Sequence, residues 1–183
     1  MSRAFLSIGS NLGDRVELMR EALRQLSAPG DIQLVEASRL YETEPWERQP
    51  GQPSERAGWF LNCVVAVETS LPPMALLERL QAIEAALGRT RDPRQSPEAQ
   101  RFEPRPLDID ILLYGDHVIS VSDDLHVPHL LLHERGFVLR PLADLAPELL
   151  HPTLYRTMRE LMAELADVHE VHVAAFPPRW FER

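Results

Sequence analysis

Apolar positions along the chain recur with two periods, and the changes between them mark the elements. Residues 4–8 are almost wholly apolar and end at Gly9, Ser10, Asn11, Leu12, Gly13 and Asp14, a run of residue types that tolerate unusual backbone angles. This predicts a buried strand and a turn. Val16, Met19, Leu23 and Leu26, spaced 3, 4 and 3, form one stripe of a helix that Asp14 can cap and Pro29 and Gly30 stop. Residues 32–41 have strand character, and 42–58 is a long polar stretch with three prolines, a candidate lid loop. A second strand spans 59–69. Pro72 and Pro73 then open a helix with Leu76, Leu80, Ile83 and Leu87 on one stripe, closed by Gly88. A second long loop, 89–106, leads into a strand at 107–114, and Gly115 and Asp116 suggest a hairpin turn into Val118 and Ile119. Beyond Pro128 short helices are expected, one of them near 158–165, with a last strand at 171–174. The order β-α-β-β-α-β predicts an α+β fold. Its core is a ferredoxin-like sheet with helices on its faces and a helical C-terminal extension, in one domain spanning 1–183.

Composition narrows the chemistry. The chain has 183 residues, 44% hydrophobic and 26% charged, which excludes a disordered or fibrous protein. All 19 basic residues are Arg, so P-loop, Schiff-base and lysine-base chemistry are excluded. With 28 acidic residues the net charge is −9, which argues against nucleic acid or an anionic membrane as partner; any anion must be met by a local cluster. No stretch of 18 consecutive apolar residues is present, and Cys63, the single cysteine, lies in an apolar run as a buried thiol. Residues 1–6 do not resemble a signal peptide, so a cytoplasmic protein is expected.

Asp108 and Asp110 stand i, i+2 in an otherwise apolar strand, so their carboxylates share one face, with Leu107, Ile109, Ile111 and Leu113 expected on the other. Paired acids repel unless they are solvated at an edge or share a cation, and Mg²⁺ takes such oxygen ligands together with substrate phosphates. Just upstream, Arg89, Arg91, Arg94, Arg101 and Arg105 stand against Asp92, Glu98 and Glu103, a net +2 in an acidic chain. Guanidinium forks opposite a carboxylate pair are suited to a metal-bound polyphosphate.

Phe60 and Asn62 share a strand face and Phe137 offers a second ring. A flat heterocycle could stack there with its edge on the Asn62 amide, although core aromatics give the same pattern. His129 and His133, at i, i+4, have no third zinc ligand beside them. The Gly9–Ser10–Asn11 turn lacks a full glycine fingerprint and reads as mainly structural, and no serine-hydrolase elbow is present.

The stretches 8–14, 41–45, 60–62, 88–91, 104–112, 127–129 and 135–139, in this order, resemble the successive motifs of the 6-hydroxymethyl-7,8-dihydropterin pyrophosphokinase family, the Arg105 to Asp110 block most specifically. The resemblance implies transfer of pyrophosphate from ATP to the dihydropterin hydroxymethyl group, with release of AMP, in folate biosynthesis. It implies that Asp108 and Asp110 hold two Mg²⁺ ions and, with Arg89 and Arg105, form the catalytic set. Gln81, Glu84, Arg89, Arg91, Arg105, Ile111, His129 and Arg135 would meet ATP, and Thr43, Pro45, Trp46, Phe60, Asn62 and Phe137 the pterin. Both substrates are small molecules, and a monomer is expected. The chain departs from the family's usual residues at Phe60, Glu103, Asp124 and Leu130. Two other readings of the residues remain: another Mg²⁺-dependent phosphotransferase, or a non-catalytic nucleotide- or pterin-binding module.

Because every side-chain cation is an Arg, no lysine can titrate in the rate. Between about pH 6 and 9, activity should follow histidine, metal-bound water or substrate; a lysine-like pKa in the rate profile would contradict this.

Overall fold

The computed structural model describes residues 1–46, 58–88, 106–122 and 125–182. Arg89, Arg91, Arg94, Arg101, Arg105, Glu103 and Asp124, and most of both expected long loops, lie outside the described residues.

Strand β1 (Ser2–Ser10) is the axis of the sheet, paired antiparallel with β4 (Phe60–Thr69) on one side and β5 (Asp108–Tyr114) on the other. The outer edge of β4 carries β2 (Ile32–Ala37) and then β3 (Tyr41–Thr43), and β8 (Val171–Val173) closes that side on β3. The resulting order, β5-β1-β4-β3-β8 with β2 also on β4, is consistent with the expected β-α-β-β-α-β core.

Helix α1 (Arg15–Ser27) starts where Asp14 accepts the Glu17 N–H at 3.1 Å, and it buries Met19, Ala22, Leu23 and Leu26. Helix α2 (Pro73–Ala86) starts on proline and buries Leu76, Leu80, Ile83 and Glu84. Both cover the face that β1 lines with Ala4, Leu6 and Ile8. The expected C-terminal helices are α3 (Gly136–Leu145) and α4 (Met158–Ala163), the latter held by a Thr157/Glu160 capping box. They cover Phe5, Val64, Ala66, Leu112 and Leu113 on the opposite face. Among the described residues no helix is long and apolar enough to cross a membrane. Cys63 is fully buried, and burial pushes its thiol far above its ordinary pKa, in keeping with an inert thiol.

Three local expectations are corrected. The strand expected at 32–41 is broken at Ser38 and resumes through Thr43. Ser38 exchanges backbone and hydroxyl hydrogen bonds with Val64, at 2.8 and 3.0 Å, and gives its carbonyl to the Trp180 indole N–H at 2.9 Å. Leu113 lies on the same face as the acids' strand neighbour Leu112, because a bulge shifts the β1–β5 register between Phe5 and Leu6. The chain also does not return along β5 after Gly115, whose N–H goes to the Arg3 carbonyl at 2.7 Å. Instead β6 (Ile119–Ser122) pairs with β7 (Leu125–Val127) in a separate two-stranded sheet. On β5 the Ile109 N–H is taken by Glu84 and the Leu112 carbonyl by the His129 N–H, so these two edge groups are not available to β6.

The chain ends in a 3₁₀ turn, Trp180–Glu182, that seats Trp180 in the main core at 0% exposure. Truncating an indole so placed costs about 3–5 kcal/mol.

His151, 4% exposed, accepts from Thr153 and Leu154 backbone N–H groups through Nδ1 and packs edge-on against His133. Burial first, and the neighbouring His133 second, hold its imidazole below the ordinary value. A neutral His151 therefore favours the fold, fully above the unfolded value of about 6.5, and that contribution is lost as pH falls through the lower folded value. Urea unfolding of the wild type should lose stability more steeply from about pH 7 to 5 than that of His151→Asn, which keeps an acceptor but does not titrate. Equal slopes would exclude this role.

Candidate functional site

Directly paired residues in an antiparallel sheet project to the same face, so the register assembles the site. Asp108 lies opposite Gly9, Gly9 opposite Asn62, and Asn62 opposite Tyr41. One step along, Asp110 lies opposite Ser7, and Phe60 opposite Thr43. With strands about 4.8 Å apart, Asp108 and Asn62 stand on the order of 10 Å from one another across Gly9, room for a flat bicyclic ligand.

The middle position has to be glycine. A Cβ on Gly9 would collide with Asn62 Oδ1, so the Asn62 side chain lies over the glycine backbone. The other end of the amide is fixed: Nδ2 donates to Thr43 Oγ1 at 2.7 Å, and both residues are buried. Gly9, which sequence alone assigns a structural part, thus shapes the floor of the site.

The acid pair is held from behind. Glu84, 2% exposed on α2, reaches β5 and accepts the Ile109 N–H at 2.7 Å, between the two aspartates. Among the residues assigned to ATP by resemblance, Glu84 therefore supports the strand that carries Asp108 and Asp110. Ile111 is 4% exposed with its side chain in the core, and Gln81 is half-buried on α2. His129 is docked on β5 by its backbone N–H on the Leu112 carbonyl at 2.9 Å. Its Nδ1 accepts the Leu131 N–H at 3.2 Å, which puts the proton of a neutral ring on Nε2, a donor suited to a phosphate oxygen.

A second wall rises at the β3 end. Thr43 and Pro45 are buried and Trp46 is half-buried after them, and Phe137 stands in the first turn of α3. The Arg135 guanidinium lies 4.7 Å from the Trp46 ring centroid and 5.6 Å from that of Phe137, a double cation–π contact. The structure thus groups Arg135 with the residues expected to meet the pterin. Asp167 and His169, which sequence reasoning did not single out, close this wall from outside. Asp167 accepts the Gly136 N–H at 2.7 Å and pairs with His169 Nδ1 at 2.5 Å. Burial alone would raise the Asp167 pKa, but the Gly136 N–H and the side-chain and backbone N–H groups of His169 together hold it below the usual range.

Asp108 and Asp110 are both half-buried on the stretch of this face beyond the residues packed by α3 and α4. Two hard oxygen donors on one strand face fit a hydrated Mg²⁺ better than a softer transition metal.

Comparison with known proteins identifies the family. The family model described as 7,8-dihydro-6-hydroxymethylpterin-pyrophosphokinase matches residues 5–147. The 2-amino-4-hydroxy-6-hydroxymethyldihydropteridine pyrophosphokinase of Methylorubrum extorquens is 41% identical over 165 residues, covering 90% of this chain and 94% of that protein. The enzyme of the same name from Porphyromonas gingivalis is 43% identical over 152 residues, covering 83% and 95%. Among solved structures, Plasmodium falciparum HPPK-DHPS with pteroate superposes with a TM-score of 0.68 at 18% identity, over 89% of this chain; it supports the fold, and the chain spans only 42% of its length. The match over residues 5–147 and the extent of these similarities show that the chain belongs to the 7,8-dihydro-6-hydroxymethylpterin-pyrophosphokinase family.

Proposed function

We infer that this chain transfers pyrophosphate from ATP to the hydroxymethyl oxygen of 6-hydroxymethyl-7,8-dihydropterin, releasing AMP, a step of folate biosynthesis. The observation that supports this most is the single row of Asp108, Gly9 and Asn62 across three strands, with an acidic end for a metal–triphosphate and an amide end for a heterocycle edge.

The hydroxymethyl oxygen attacks the β-phosphorus and gives up its proton to Asp110 or to water; the new O–P bond forms while the bond from the β-phosphorus to the α,β-bridging oxygen breaks, and AMP leaves with the electron pair of that bond. Such a reaction depends chiefly on alignment and on cations around the transferring group. Asp108 and Asp110 are the residues that would hold Mg²⁺, two ions by the family resemblance, which when bound neutralise triphosphate charge. His129 donates from Nε2 to a phosphate oxygen. Arg89, Arg91 and Arg105 are assigned to the triphosphate, and Gln81 and the backbone at Ile111 to the nucleoside. The Asn62 amide reads the pterin edge beside Thr43 and Pro45, and Phe60, Trp46 and Phe137 sandwich or border its ring. Arg135, whose guanidinium stands over Trp46 and Phe137, is assigned to ATP by the family resemblance. The chain is proposed to act as a monomeric, single-domain enzyme over 1–183 in the cytoplasm.

Product analysis tests the reaction: AMP, not ADP, should form, and only with both dihydropterin and Mg²⁺ present. ADP would favour another phosphotransferase, and absence of turnover a binding module. Asp108→Ala should lower kcat by ~10³-fold or more, and near-normal turnover would remove the metal assignment. Gly9→Ala, by displacing Asn62, should raise the dihydropterin KM roughly tenfold or more, equivalent to about 1.4 kcal/mol, while ATP binding is retained. An unchanged pterin KM would show that Asn62 is not part of the pterin site.

A further inference from the structure

Segment 167–170 lies beyond the 5–147 stretch that the family model matches, yet it touches both sides of the wall that Trp46 and Phe137 form. On one side Asp167, its side chain 4% exposed, holds the N-terminus of α3 by accepting the Gly136 N–H at 2.7 Å, one residue from Phe137. Gly136 itself is tightly enclosed: a Cβ there would lie 3.1 Å from Asp167 Oδ2 and 3.5 Å from Leu165 and Val171 side chains. On the other side the Glu44 N–H donates to the Glu170 carbonyl at 3.0 Å and the Glu170 N–H to Glu44 Oε2 at 3.3 Å, two residues before Trp46. His169 joins the two sides. Its ring nitrogen Nδ1 and its backbone N–H both meet Asp167 Oδ1, at 2.5 and 3.0 Å, and its ring centroid stands 6.3 Å from that of Trp46.

We propose that Asp167 and His169 are a positioning pair that sets the separation between Trp46 and Phe137, and through it the affinity for the dihydropterin ring. The proposal rests on the reading of Trp46 and Phe137 as pterin contacts. Neither residue touches the reacting atoms. The acid pair stands at the far edge of the sheet, on β5, whereas segment 167–170 runs into β8 at the opposite edge. Among the described residues the two ring-bearing segments share no strand pairing; the Arg135 guanidinium over both rings and the Asp144 contacts of Arg39 and Tyr41 link them, and segment 167–170 adds hydrogen bonds to the backbone of each. A stacked ligand loses contact steeply with separations of a few tenths of an ångström. A buried, multiply hydrogen-bonded carboxylate fixes such a gap more firmly than apolar packing alone, because each lost bond leaves a buried polar group behind.

The expected signature is a split between kinetic constants. In a steady-state assay of AMP release by the full chain with Mg²⁺-ATP, His169→Ala should raise the dihydropterin KM roughly fivefold or more, with kcat and the ATP KM within about twofold of wild type. His169→Asn, whose amide nitrogen can replace Nδ1 as donor to Asp167, should recover most of that loss. Val168→Ala, at an exposed neighbouring site, should match wild type. If His169→Ala does not fold, His169→Phe supplies the test: it keeps a ring beside Trp46 but not the donor, and the same KM rise is expected. An unchanged pterin KM in the folded variant, or a parallel loss in kcat and both KM values, would overturn the positioning role. Failure of the wild type itself to form AMP would instead overturn the underlying functional reading.

Discussion

The antiparallel register of β4, β1 and β5 is the constraint on which the remainder of the site depends. Asp108, Gly9 and Asn62 come from positions 9 to 108 of the chain, and they share a row only because Gly9 is paired simultaneously with both of the others. Side chains alternate along a strand, so a slip of one residue in either ladder would send the acids or the amide into the opposite core. The register is protected by the apolar residues on that other face: Leu6, Ile8, Leu61, Cys63, Val65, Ile109 and Ile111 are all buried against α1 and α2. The hydrophobic face thus fixes the geometry of the polar one, and the bulge near Leu6 and Leu112 lies on the side of Asp110 away from the row.

Much of the fold could be read from the sequence because it was encoded by local periods. The stripes Met19–Leu23–Leu26 and Leu76–Leu80–Ile83, the caps at Asp14 and Pro73, and the alternation around Asp108 and Asp110 all depend on near neighbours. What could not be read depends on partners distant in sequence. The break after β2 involves Ser38 and the Trp180 indole, 142 residues apart, and the departure of β6 from β5 reflects occupation of the β5 backbone by Glu84 and His129. The bulge moved Leu113 to the other face because two consecutive residues of β1, Phe5 and Leu6, face Leu113 and Ile111, which leaves Leu112 as an extra residue that simple alternation along β5 does not anticipate.

The same division holds within the site. The acid pair and the Phe60–Asn62 face follow from spacing of two, and the register brings Thr43 to the Asn62 amide. Gly9 resisted a functional reading because its contribution is the absence of a side chain beneath Asn62, which becomes visible only once β4 is laid against β1. Arg135 carries a charge suited to phosphate, and only the three-dimensional arrangement puts its guanidinium over Trp46 and Phe137. Asp167 and His169 form a two-residue pattern too common to single out, and their meaning comes from Gly136, 31 residues upstream of Asp167.

The Glu84 carboxylate has a consequence outside catalysis. Strand β5 is the rim of the main sheet, and the unpaired backbone groups of a rim strand are what recruit a strand from another molecule and seed aggregation. Glu84 covers its Ile109 N–H with a carboxyl oxygen, and the His129 backbone occupies its Leu112 carbonyl. Two of the backbone groups that an intruding strand would need are therefore already engaged. The contacts that steady the acidic strand also make that border a poorer template for self-association, and the same buried side chain serves both ends.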